Sequence, residues 1–262
     1  MNDNRIRLLV INPNTSASVS VKLHERIAAA CGDAVEVRVQ TARFGAPYIA
    51  SESSFAVAEH ATLDAWAAAV ALPSPWPDVV LIGCFGDPGL FALGECSVVP
   101  VTGLASASLD RAARAARDGR FAIVTGGQEW KPILTRFALA MGFAKQLAAI
   151  ETVQLSGAEL AERPEESRTL LLDACLRVAN EHEVSSIVIG GAALAGMAEK
   201  LQPFVPVPLF DSVVEGAREA MRLATLRKAM CTGGRRYQWT GLSAEMQAMN
   251  LGAVPPGQSG VA

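Results

Sequence analysis

Cys84 is the residue whose type and setting point most directly to chemistry. It directly follows the apolar run VVLIG (79–83) within GCFGDPGL (83–90). A cysteine at the carboxyl end of a parallel strand lies where open α/β sheets bind ligands. Its thiolate is a nucleophile and a proton acceptor, and its thiol is a proton donor. Asp87 and Pro88 read as the N-cap and first residue of a short helix. Free N–H groups at such a terminus would lower the thiol pKa below about 8.5. A second polar turn, Asn14-Thr15-Ser16, opens another helix, and Thr125-Gly126-Gly127-Gln128 is its counterpart later in the chain. Both are suited to hold a carboxylate or carbonyl oxygen. Phe85 and Gly86 beside the thiol, and Gly191 and Ala192 in a later turn, complete the candidate substrate contacts.

The elements carrying these residues come in two matched sets. RLLVINPNTS (7–16) is echoed by RFAIVTGGQEW (120–130), and VVLIGCFGDPGL (79–90) by SIVIGGAALAGM (186–197). VVPVTGLASA (98–107) is echoed by VPVPLFDSVVEG (205–216), and the three offsets are 113, 107 and 107 residues. Strands are expected at 8–11, 35–39, 79–82 and 98–101, then at 121–124, 148–153, 187–189 and 205–207. Helices are expected at 54–70, 130–141, from Pro164 onward, and at 211–226. Strand and helix alternate as in doubly wound parallel sheets. The expected fold is therefore α/β, with two pseudo-symmetric Rossmann-like lobes and an active site in the cleft between them. The lobes span 1–103 and 104–210, the first completed by a returning helix at 211–227, with a tail at 228–262 that docks through Tyr237 and Trp239.

Composition narrows the function classes. A net charge of −3 gives no electrostatic footprint for nucleic acid, and Lys228, Arg235 and Arg236 read as solvated surface. No apolar run is long enough to span a membrane, and the polar start MNDNRIRLLV does not read as a signal peptide. Five cysteines without disulfide or metal spacing fit a reduced, cytoplasmic protein, with Cys31, Cys96 and Cys175 as apolar filler. His24, His60 and His182 fall in expected helices and are not bracketed as ligands. No GxGxxG or P-loop pattern follows a strand, so a dinucleotide cofactor is not expected. A small-molecule substrate is the expected partner. The hydrophobic composition and Trp239 suggest a homo-oligomer.

INPNT (11–15), GCFGDPGL (83–90) and the two-lobe echo together resemble the aspartate/glutamate/hydantoin racemase superfamily, and most closely its hydantoin and allantoin racemase branch. The resemblance covers residues 7 to 226. It implies two pseudo-symmetric lobes, chemistry without metal or pyridoxal phosphate, and one catalytic cysteine per lobe. Cys84 matches the first-lobe cysteine. Asn14 and Thr15 match first-lobe substrate positions, and Thr125 and Gly126 match the second-lobe loop. The chain departs from the pattern where a GCAGM-like turn would carry the second cysteine: 190–197 reads GGAALAGM, with Ala192 read as the residue in its place. Ser106 stands where this branch often has an acidic residue. Racemisation at an α-carbon through Cys84 is the leading expectation. Single-thiol decarboxylation, cis-trans isomerisation of a small dicarboxylate, and ligand binding without chemistry remain alternatives. No arginine is assignable to a side-chain carboxylate, which favours a cyclic amide or a monoacid as substrate.

Overall fold

The computed structural model describes residues 5–115, 120–226 and 239–249. The first lobe contains β1 (Ile6–Asn12), α1 (Ala17–Cys31), β2 (Val35–Thr41), α2 (Glu52–Ala71), β3 (Val79–Ile82), α3 (Leu90–Cys96), β4 (Val101–Gly103) and α4 (Leu104–Ala115). The second contains β5 (Phe121–Gly126), α5 (Trp130–Ala140), β6 (Leu147–Val153), α6 (Gly157–Glu162), α7 (Pro164–Glu181), β7 (Ser186–Gly190), α8 (Met197–Leu201), β8 (Leu209–Asp211) and α9 (Ser212–Leu226). A last short helix, α10 (Ala244–Met249), follows. The sheets are four-stranded and parallel, ordered β2-β1-β3-β4 and β6-β5-β7-β8. The expected α/β architecture of two matched lobes is thus present, and the two sheets share one strand order.

Register preserves the echo. Leu8 pairs with Val79 in one sheet, and Phe121 pairs with Ser186 in the other. Side chains alternate across each strand, so every sheet is buried on both faces, as parallel sheets require. Leu8, Val10 and Leu81 share a central core with Phe121, Ile123 and Val188 of the other lobe. Leu9, Ile11, Val80 and Ile82 face outward under α2, while Ala122, Val124, Ile187 and Ile189 face α7. Helix α9 packs on α1, α4 and β3. It comes close because Gly216 leaves no room for a Cβ beside Leu104 and Leu81.

Two local expectations are corrected, and a third, the docking of the tail through Tyr237 and Trp239, lies partly outside the described residues. The strands expected at 98–101 and 205–207 lie later, at Val101–Gly103 and Leu209–Asp211. Prolines set both starts: Val80 N–H donates to the carbonyl of Pro100, and Ile187 N–H to that of Pro208, each at 2.9 Å. A proline has no N–H to donate, so each ladder is entered through its carbonyl. Asp87 and Pro88 do not open a helix. Helix α3 begins at Leu90 after Gly89, whose φ of 84° is left-handed. In the tail, Trp239 is half exposed and Tyr237 lies outside the described residues. Helix α10 packs on α2 with Met246 buried, and its Glu245 pairs with Arg43 of the loop after β2 at 3.0 Å.

Candidate active site

The carboxyl ends of β1, β3, β5 and β7 converge on a cavity of about 180 Å³ between the lobes. Each turn reaches it for a local reason. The Asn14 side chain accepts from Ser16 N–H at 2.9 Å, and the Ser16 hydroxyl accepts from Val19 N–H at 3.4 Å, so the polar turn is locked onto the start of α1. Such a Ser N-cap satisfies a donor that would otherwise be orphaned. Gly83 packs where a Cβ would strike Leu23, bringing the strand end tightly against α1. Asp87 N–H then donates to the Cys84 carbonyl at 3.1 Å and closes the turn after the thiol.

Asn14, Cys84, Phe85, Thr125, Gly126, Gly191 and Ala192 all line this cavity. Thr15 and Gly86 do not line it. The Thr15 N–H is bonded to Ala46 O at 3.1 Å, and Gly86, at φ 120°, is pressed between Trp130 and Phe55. Thr125 reaches across the second sheet, its hydroxyl donating to Gly190 O at 2.7 Å.

Two further wall residues, Tyr48 and Trp130, were not singled out as site residues by sequence reasoning. Tyr48 sits in the loop after β2, between a proline and an isoleucine, and only its place in the loops at the sheet's carboxyl end could have drawn attention to it. Its oxygen accepts the N–H of Gly157 in the other lobe at 2.9 Å.

The surroundings of Cys84 reverse one expectation. Its thiol pKa is pushed well above the ordinary value, chiefly by burial and further by the nearby Asp87 carboxylate. The helix start expected to stabilise a thiolate is not at Asp87. Instead Asp87 reaches to α4, where its carboxylate accepts from Ala105 N–H at 2.8 Å and Ser106 N–H at 2.7 Å. Gly103 makes this possible, because a Cβ there would overlap the carboxylate. Burial pushes Asp87 up to about 7, although both N–H groups pull it down. Asp87 itself has φ 51°, unusual for a residue with a side chain, and the two bonds hold it there. Ser106, at the site expected to be acidic in relatives, accepts Gly103 N–H at 3.0 Å instead.

The counterpart of Cys84 also moves. Gly89 and Gly196 occupy matching places before α3 and α8, with φ of 84° and 85°. Counting back from them aligns Cys84 with Gly191, one residue before the Ala192 read from sequence. Gly191 has φ 131°, a conformation that side-chain-bearing residues rarely adopt. This turn therefore departs from the Cys84 turn in backbone as well as side chain, since Cys84 does not have a positive φ.

A family model described as Asp/Glu/Hydantoin racemase matches residues 8–220. The chain belongs to this enzyme family. Among relatives of this Asp/Glu/hydantoin racemase family member, a hydantoin racemase of Pseudomonas sp. (strain NS671) is 31% identical over 151 residues, covering 58% of this chain and 60% of that one. A hydantoin racemase of Paenarthrobacter aurescens is 28% identical over 221 residues, covering 84% of this chain and 92% of that one. Allantoin racemase from Klebsiella pneumoniae is similar in structure, with a TM-score of 0.83 at 28% identity over 94% of this chain and 99% of that one. No group of three or more His, Cys, Asp or Glu residues suited to a metal ion occurs among the described residues, nor does any described helix have the length and apolarity to cross a membrane.

Proposed function

We propose that this racemase-family chain is a cofactor-independent isomerase that moves the proton on the α-carbon of a small cyclic amide or carboxylate, as a hydantoin racemase does. The observation that carries this reading is Cys84, set in the wall of a small-metabolite-sized cavity where the carboxyl ends of both sheets meet. In this reading Cys84 exchanges a proton with the α-carbon. The turns at Asn14, Thr125-Gly126 and Gly191-Ala192 hold the substrate's polar atoms, while Phe85 packs against its body. Stabilising the enolate formed on proton removal is the main task of such a site. Lys22, at the exposed rim, is the one cation among the described lining residues, none of which is an arginine. That favours a cyclic amide or monoacid over a substrate with a second carboxylate.

Decarboxylation is the second reading, and one observation favours it. A thiol whose proton is held by burial, with glycine at the matching position, suits delivery of one proton to a carbanion left by departing carbon dioxide. The test is proton NMR in deuterium oxide with hydantoins, allantoin, amino acids and substituted malonates. Loss of the α-proton signal together with loss of optical rotation supports the racemase. Carboxylate loss with deuterium entering in its place supports the decarboxylase. Cys84→Ala is expected to lower either activity by at least a hundredfold. Unchanged turnover in that variant would remove Cys84 from the chemistry.

A further inference from the structure

Inversion at a carbon requires proton-carrying groups on both faces, each within hydrogen-bond reach. Gly191 brings none. Among the described lining residues, few others can serve. The Ser16 hydroxyl and that of exposed Ser18 are bonded to each other at 2.9 Å, Ser16 also accepting from Val19 N–H, and the Thr125 proton is given to Gly190 O. Lys22 and Glu162 stand at the exposed rim. Tyr48 remains. Its oxygen accepts from Gly157 N–H at 2.9 Å and from the Trp130 indole. Backbone and indole N–H groups are donors only, so neither takes the phenol proton. A Cβ built on Gly157 would lie 3.4 Å from the Tyr48 hydroxyl and 3.7 Å from the Ala193 Cβ. The hydroxyl of this first-lobe residue is therefore seated against the second lobe, near the turn that begins at Gly191.

We propose that Tyr48 is the catalytic residue on the face opposite Cys84, doing from the first lobe what a second-lobe cysteine would do. The inference rests on the racemase reading. In one direction the Cys84 thiolate takes the α-proton and the C–H electron pair passes into the enolate. The Tyr48 O–H bond then breaks, its proton joins the other face of the α-carbon, and its electron pair stays on the phenolate oxygen. In the reverse direction the phenolate is the base and the Cys84 thiol is the acid. Two N–H donors aimed at the phenol oxygen stabilise that phenolate. Burial raises the Tyr48 pKa, these two bonds lower it, and negative charge at Cys84 or Glu129 raises it. The two proton carriers are thereby coupled: ionising one helps the other keep its proton, as a one-proton relay needs.

The decisive experiment follows deuterium exchange and optical rotation with pure D- and L-5-isopropylhydantoin and with each enantiomer of allantoin. Tyr48→Phe is expected to lose racemisation by at least a hundredfold, while the enantiomer facing Cys84 still exchanges its α-proton with retention of configuration. Cys84→Ala should show the mirror pattern, with only the other enantiomer exchanging. Tyr48→Phe within threefold of wild type overturns the proposal, and so does equal loss of exchange for both enantiomers. A wild-type protein that exchanges neither enantiomer of any probe overturns the racemase reading itself, and the proposal with it. Tyr48→3-fluorotyrosine keeps the ring and its contacts while making the phenol more acidic. It should move a limb of the kcat/KM pH profile to lower pH; an unmoved profile assigns Tyr48 a structural role and overturns the proposal.

Discussion

At the scale of the residue, Cys84 pairs a reactive atom with surroundings that hold its proton in place. Burial is the larger influence and Asp87 the smaller, and both disfavour the thiolate. Alkylation by iodoacetamide at neutral pH, read by peptide mass spectrometry, should therefore be much slower at Cys84 than at exposed Cys96. Because the thiolate is the reacting species, the Cys84 rate should keep rising with pH beyond the range where an ordinary thiol has levelled off. Cys84 modified as fast as Cys96 at pH 7 would contradict this environment. Sequence alone located the thiol but not its electrostatics. The step from a strand into a turn is visible in VVLIGC, whereas the bond partners of Asp87 lie 18 and 19 residues further on. No local pattern reports whether a carboxylate caps its own helix or a later one.

At the scale of the element, Asp87 binds the turn after β3 to the start of α4 at a cost that depends on pH. Its folded pKa of about 7 lies above the roughly 3.9 of an unfolded Asp, so between those values the folded state holds a proton that the unfolded state has lost. Wild-type stability must therefore fall relative to Asp87→Asn as pH rises from about 4 to about 7, and the difference must flatten above that. The change should be on the order of a few kcal/mol. Urea unfolding of both proteins across pH 4–8 measures it, and a gap that moves in favour of wild type with rising pH would refute it. Asp64, held down chiefly by its bond to Arg43, works in the opposite sense: its stabilisation is present above the usual carboxylate range and is lost as pH falls through its lowered value. The elements themselves were mostly legible. Apolar runs such as Val79–Ile82 mark a buried strand directly, and Pro164 opens α7 as its fixed φ favours. Strands β4 and β8 were misplaced because valines beside prolines look like strand while the pairing begins only at the proline carbonyl. That boundary is set by the neighbouring strand, and the neighbour is not written in the local sequence.

At the scale of the whole molecule, the constant offsets made the two-lobe plan readable, since matched strand ends separated by matched connections leave few ways to wind two sheets. What the offsets do not show is how firmly the lobes are joined. The central core draws on both sheets, with α4 and α9 contributing Leu104, Leu109, Val213 and Ala217 between them. Buried Glu215 on α9 meets Arg111 of α4 at 3.8 Å and Arg218 of its own helix at 2.7 Å. On another flank Arg136 of α5 bonds Glu52 of α2 at 2.8 Å and lies over the Phe55 ring, which itself meets Trp130 edge-on at 6.4 Å. Exposed ion pairs of this kind add little, about 0–1 kcal/mol each, so the shared apolar core must dominate the coupling. Neither lobe can lose its inner face without exposing the other's. The chain should therefore unfold in one transition. Far-UV circular dichroism, which follows both lobes, should superimpose on tryptophan fluorescence, to which Trp66 and Trp76 report from the first lobe and Trp130 from the cleft. A ligand of the cleft binds only the assembled pair of lobes, so at a hundred times its dissociation constant it should raise the stability of that single transition by about 2.7 kcal/mol. Two separated transitions, with only one of them moved by ligand, would mean that the lobes fold as independent units and that the cleft is a contact between them.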